Sequence, residues 1–149
     1  MDMAQVRRAE ANWSGDLLSG GGAVSAATSG IFDNQAITWR ARTEASEGKT
    51  SPEELLAAAH AACYSMALSN ELAKAGFAPE RVDVSVEVSA DKTDAGWTVQ
   101  RSAISVRAKV PGADAALFAE KAAAAKGGCP ISRAINGSVE ITLEAVLEP

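Results

Sequence analysis

Residues 82–88 alternate between valine and polar side chains, with Val82, Val84, Val86 and Val88 at every second position. A repeat of two places all four on one face and predicts a half-buried strand. Upstream the pattern is different. Residues 51–75 carry a mostly apolar stretch over 55–68, with alanine dominating the first half, and boundaries that read as helix signals. Ser51 is a good N-cap, Pro52 suits the first helical position, and Glu54 completes an S-x-x-E capping box. Gly76 supplies the stop. So small and apolar a helix is expected to be buried on most of its surface.

The remaining elements follow from shorter runs. Residues 4–13 read as a first strand ending at Trp13, and residues 24–28 and 36–42 as two more. The run from Ser19 to Gly22 reads as a hairpin turn. Its three glycines lack the downstream Lys-Ser/Thr of a phosphate-binding loop, and no helix follows them. After the valine strand, Asp94, Ala95 and Gly96 turn the chain into a long strand over 97–110, ended by Pro111 and Gly112. Asp114 caps a second long helix over 114–126, closed by Gly127 and Gly128. A short helical turn spans 130–135, and Asn136-Gly137 leads into a last strand over 139–147. The order βββ-α-ββ-αα-β predicts an α+β fold of antiparallel sheets with long central helices.

Composition narrows the partners. With 149 residues the chain fits one domain, 1–149, with a sizeable core. A net charge of -5 makes nucleic acid and anionic membrane unexpected partners. The longest apolar run, 55–68, is too short to span a bilayer. Asp2, Arg7, Arg8 and Glu10 break any N-terminal leader pattern, so a soluble cytoplasmic protein is expected. Two cysteines in a chain of this length do not make a secreted disulfide scaffold. Either they are reduced structural thiols or they do chemistry.

Cys63 lies on the predicted long helix, where a free cysteine is commonly a small buried hydrophobe. Cys129 lies between a helix stop and a new helical start, in Gly127-Gly128-Cys129-Pro130. Together they are compatible with a nucleophile and a resolving partner, and equally with two inert thiols. They do not form a CxxC pair. With one histidine they are too few for a structural zinc site without carboxylates.

Burial among alanines raises a thiol pKa, which opposes nucleophilic attack. A reactive Cys63 therefore needs a nearby cation. His60, one turn back, is one candidate, or else a satisfied helix residue. Arg40 and Arg42, expected on the strand before the helix, are the others, and an arginine stays charged when buried. Glu53 lies roughly 80° around the helix from Cys63, at about 100° per residue. It is the better-placed carboxylate to orient an arginine, although a charge at a helix N-terminus needs no other explanation.

The segments TSPEELLAAAHAACYSMALSNEL, KTDAGW, VPGADAALFAEKAAAAKGGCPIS and WSGDLLSGGGAVSAATSGIF together resemble the OsmC/Ohr family over nearly the whole chain. The start and the HAAC form resemble the OsmC branch more than the Ohr branch. The resemblance implies a thiol peroxidase that reduces organic hydroperoxides and, less selectively, hydrogen peroxide. By that resemblance Cys63 matches the peroxidatic cysteine, Cys129 the resolving cysteine and Glu53 the motif glutamate. Arg42 matches the active-site arginine if Trp39 takes the family's aromatic position, and Arg40 is its rival. The resemblance further implies an intertwined homodimer, no metal or organic cofactor, and a dithiol reductant such as a lipoyl-bearing protein. Two other functions stay open: a Cys63-His60 acyl or thiol transferase, and a non-catalytic dimeric binding protein.

Overall fold

The computed structural model describes residues 3–149; Met1 and Asp2 lie outside the described residues. The chain forms two compact units that divide between Pro52 and Glu53.

The first unit is a three-stranded antiparallel sheet, with β1 (Glu10–Ser14), β2 (Gly21–Ser25) and β3 (Gln35–Ile37) in chain order. Its glycines fit close packing between strands. A Cβ on Gly22 would collide with the Asn12 carbonyl on β1. The first strand is shorter than expected, and β2 begins and ends three residues earlier. After Ser25 the chain folds back on itself, with the Gly30 amide donating to the Ala26 carbonyl at 2.8 Å and the Asn34 amide to Ser25 Oγ at 2.9 Å.

The expected strand over 36–42 does not form as such. It ends at Ile37, and α1 (Trp39–Thr43) follows. Thr38 is the reason: in extended conformation it caps the helix, accepting from the Ala41 amide at 3.0 Å. Arg40 and Arg42 therefore do not share a strand face. On a helix they point roughly 200° apart around the axis.

All of α2 (Pro52–Lys74) past its first residue lies in the second unit, and the helix is stopped as expected at Gly76. That glycine has φ of 89°, the Gly76 amide donates to the Ala73 carbonyl, and the Phe77 amide donates to the Leu72 carbonyl at 2.9 Å. This pair of bonds is a Schellman stop. Next, β4 (Arg81–Thr93) and β5 (Gly96–Lys109) form a long antiparallel hairpin, then α3 (Ala115–Gly128), α4 (Pro130–Ile135) and β6 (Glu140–Leu147). The Asp114 cap is present, its carboxylate accepting from the Leu117 amide at 2.8 Å.

The second sheet has the order β4-β5-β6, and β6 runs parallel to β5. This corrects the expectation of purely antiparallel sheets within the α+β class. A parallel neighbour needs a crossover, and α3 with α4 supplies it. The core lies where Tyr64, Leu68 and Leu72 of α2, Ile104, Val106 and Ala108 of β5, and Phe118, Ala122 and Ala125 of α3 meet. On α2 the buried stripe repeats every four residues, and His60 stands at its start.

Candidate active site

The two cysteines, far apart in sequence, meet in the second unit. Cys63 sits on α2 beside the core stripe and is half-buried. Cys129 is fully buried at the break between α3 and α4. Pro130 makes that break. A residue before proline is pushed out of the helical region, and Cys129 has ψ of 124°. The Cys129 amide closes α3 on the Ala125 carbonyl at 2.9 Å, and the Cys129 carbonyl accepts from the Arg133 amide at 3.0 Å to open α4. The thiol is thus carried on a bend held at both sides.

The Cys63 and Cys129 side chains lie close enough for the ionisation of each to act on the other. Burial pushes the Cys63 thiol up, and Cys129 beside it pushes the same way. Cys129 lies below the ordinary thiol range even though burial opposes its ionisation. Its sulfur makes no regular capping bond to α4, but the amides of Ser132 and Ile131, the Ser132 hydroxyl and Cys63 all favour its anion. Of the two thiols, Cys129 is therefore the easier to ionise.

Access is opposite to charge. Cys63 lines a largely apolar groove of about 680 Å³, with Ala59, Ala62, Met66, Ala67 and Ile131 around it. Cys129 is 0% exposed and is absent from the groove lining. A reagent in the groove meets Cys63 first.

His60 is also 0% exposed. Its Nδ1 lies 2.6 Å from Ser102 Oγ on β5, and its Nε2 lies 2.7 Å from Ser132 Oγ on α4. Burial lowers its pKa, so the ring is neutral near pH 7. Both nitrogens are engaged by serines. This removes the arrangement needed by a Cys63-His60 nucleophile-base pair.

Glu53 is buried in the first turn of α2, where its Oε1 accepts from Trp97 Nε1 at 3.2 Å. It stands about 15 Å along the axis from Cys63, at ~1.5 Å per residue, and α2 is unbroken between them. The structure thus joins Cys63 with Cys129 and leaves Glu53 a helix half-length away. In the first unit, Arg40 is exposed and pairs with Glu44 at 3.1 Å and Glu47 at 3.5 Å. Arg42 is half-buried, and its guanidinium carbon lies 5.8 Å from the Trp39 ring centroid. Arg40 is thus engaged at the surface.

Sequence reasoning missed Ser102 and Ser132. Each had a faint signal. Ser102 is a polar residue on the buried face of β5, which continues with Ile104, Val106 and Ala108. Ser132 closes the GCPIS segment. Among the described residues, no group of three or more His, Cys, Asp or Glu side chains could hold a metal ion. Likewise, no helix of the described residues is long and apolar enough to cross a membrane.

Two neighbouring thiols, one at a groove and one buried, are the arrangement that a protein cycling through a disulfide requires. Comparison with known proteins makes the class specific. The family model described as OsmC-like protein matches residues 45–144, and the chain belongs to that family. It is 43% identical over 142 residues to the protein named peroxiredoxin OsmC of Escherichia coli strain K12, covering 95% of this chain and 96% of that one. It is 34% identical over 109 residues to the organic hydroperoxide resistance protein OhrA of Bacillus subtilis strain 168, covering 69% and 72%. A solved structure named as an organic hydroperoxide resistance protein OsmC, from Legionella pneumophila, superposes with a TM-score of 0.70 at 26% identity, covering 97% of this chain and 99% of that one.

Proposed function

We propose that the chain is a thiol-dependent peroxidase that reduces organic hydroperoxides, and hydrogen peroxide, at Cys63. The observation that carries this reading is the half-exposed Cys63 at an apolar groove, beside a wholly buried Cys129 whose ionisation is linked to its own. An organic hydroperoxide needs apolar surface for its carbon part and a thiolate for its O–O bond. Alanine, methionine and isoleucine side chains supply the former.

The cycle starts from the pair with one proton. Cys63 passes that proton to Cys129 and becomes the nucleophile. Its sulfur attacks the O–O bond; an S–O bond forms, the O–O bond breaks, and alkoxide leaves. The alkoxide takes the proton from Cys129 and departs as alcohol. The Cys129 thiolate then attacks the Cys63 sulfenic acid, forming the disulfide and releasing hydroxide. An external dithiol, a lipoyl-bearing protein being the expected kind, restores both thiols by exchange.

Arg42 serves in this reading to favour the Cys63 thiolate and to neutralise charge on the leaving oxygen, with Glu53 orienting it. The single OsmC-like domain, 1–149, acts as a homodimer in which these residues are shared between chains.

Thiol titration after addition of cumene hydroperoxide tests the proposal. Loss of both thiols, recovered by a dithiol, is expected. Unchanged thiols would instead favour a binding protein with inert cysteines.

A further inference from the structure

The imidazole of His60 is buried in the middle of the second unit, and the cycle above makes no use of it. A buried polar ring has to be justified by its bonds, because desolvating it is costly. Here the bonds tie three elements together. His60 on α2 holds Ser102 on β5 at 2.6 Å and Ser132 on α4 at 2.7 Å, and both serines are at least 98% buried. Ser132 is in the first turn of α4, three residues past Cys129, which opens that helix. Its hydroxyl bonds the His60 ring, and it stands close enough to Cys129 to favour that thiol's anion. Cys63 is one turn from His60 on the same helix. One imidazole thus pins the helix that carries the attacking thiol to the turn that carries the resolving thiol.

A neutral imidazole has one N–H donor and one acceptor nitrogen, so the direction of one serine bond sets the other. If Ser102 donates to Nδ1, then Nε2–H donates to Ser132 Oγ. The Ser132 proton is then free to point at Cys129. In the opposite arrangement Ser132 donates to Nε2 and can only accept from Cys129. The first arrangement suits a thiolate at Cys129, and the second suits a thiol.

We propose that His60, acting through Ser132, is the positioning residue of the resolving step. It rests on the peroxidase reading of Cys63 and Cys129. In that step Cys129 is a thiolate. Its sulfur attacks the sulfur of Cys63 sulfenic acid, the S–S bond forms, the S–O bond breaks, and hydroxide leaves into solution, where a buffer acid protonates it to water. The Nε2–H bond holds Ser132 Oγ so that its O–H stays aimed at the Cys129 anion until the charge is lost. His60 does not touch the peroxide, and it bears on the first step only through the ionisation of the pair.

A single-turnover experiment separates the steps. The full chain is mixed with one equivalent of cumene hydroperoxide. Cys63 sulfenic acid is followed by trapping and mass spectrometry, and disulfide formation by loss of trappable species. At a pH where the pair is ionised in both proteins, sulfenic acid is expected to form in Ser132→Ala at close to the wild-type rate. Its conversion to disulfide should slow about tenfold or more, the size of one lost hydrogen bond to a charged group. Ser132→Thr, which keeps the hydroxyl, should restore the conversion in part. His60→Asn gives a second route, since a shorter amide can still reach Ser102 but withdraws from Ser132. It should show the same selective slowing with Ser132 intact. Equal slowing of both steps, or of neither, in either variant would overturn the relay. Wild-type protein that never forms the sulfenic acid would overturn the peroxidase reading itself, a distinguishable result.

Discussion

A cysteine attacks as its thiolate, so the site turns on where one proton sits. The Cys63-Cys129 pair loses its first proton below the ordinary thiol range, because the α4 amides and the Ser132 hydroxyl favour the Cys129 anion. Cys63 alone is held up by burial. In Cys129→Ser the remaining thiol is therefore expected to ionise at higher pH than the first step of the wild-type pair. The onset of ultraviolet thiolate absorbance measures this, and an onset that moves down would contradict the assignment. Peroxide chemistry gives the complementary result. Cys63→Ser should be inactive, while Cys129→Ser should complete one turnover and then overoxidise, having lost its resolving partner. Mass spectrometry of the oxidised variants checks both. For the arginine, Arg42→Met should shift the thiolate onset upward and Arg40→Met should not, since Arg40 is engaged by Glu44 and Glu47 at the surface. A shift from Arg40→Met alone would reverse the choice.

At the scale of elements, α2 is held by what lies along its buried stripe and by how it stops. Leu68 is 0% exposed, between β5 and α3. Leu68→Ala should cost about 2–5 kcal/mol, the range for a large-to-small change in a packed core. Tyr64 adds a polar tie, its hydroxyl donating to the Ala122 carbonyl of α3 at 2.9 Å. The Gly76 stop is independent of both. Its φ of 89° is costly for a residue with a Cβ, although no atom would meet that Cβ within 4 Å. Gly76→Ala should therefore cost about 1–2 kcal/mol through backbone strain alone. It should leave the Cys63 chemistry unchanged, since the stop lies thirteen residues along the helix, about 20 Å at ~1.5 Å per residue. Denaturant unfolding of both variants reads these costs.

At the scale of the whole molecule, the first unit buries little. Ala41 is the one hydrophobic residue of residues 3–52 in the buried core, whereas Leu17, Leu18 and Ile31 are 52%, 79% and 81% exposed. On α2, Met66 is 69% exposed. Apolar surface of this kind calls for cover, and a second copy of the chain is the proposed one. The proposed role of Glu53 calls for the same assembly, since a single arginine cannot comfortably reach both that carboxylate and Cys63 along one straight helix. Sedimentation at low micromolar concentration is expected to find a dimer. Mixing inactive Cys63→Ser with inactive Glu53→Ala chains under subunit exchange is expected to restore some activity, because one composite site becomes complete. A fully active monomer would refute the assembly. A dimer without complementation would leave the assembly and remove the shared site.

Read along the chain, the sequence alone determined those features whose causes are local. The glycine that stops α2, the valine alternation of β4, the turn at Gly96 and the Asp114 cap each depend on residues a few positions apart, and all appear where expected. The four segments carrying the family resemblance were equally legible, and with them Cys63 and Cys129 as a pair. Some local signals were misread. Thr38 reads as a strand residue until its side chain is seen to cap α1. Other features had no local cause. That β6 lies parallel to β5 depends on how α3 and α4 pack across the sheet. His60 meets Ser102 and Ser132 across 42 and 72 positions. No short-range pattern specifies such a contact, because a buried polar group can be satisfied by any partner that packing brings within reach. Burial likewise divided the two thiols into one at the groove and one behind it. That division is a property of the packed molecule, in which Pro130 turns the chain inward and the helices close over Cys129.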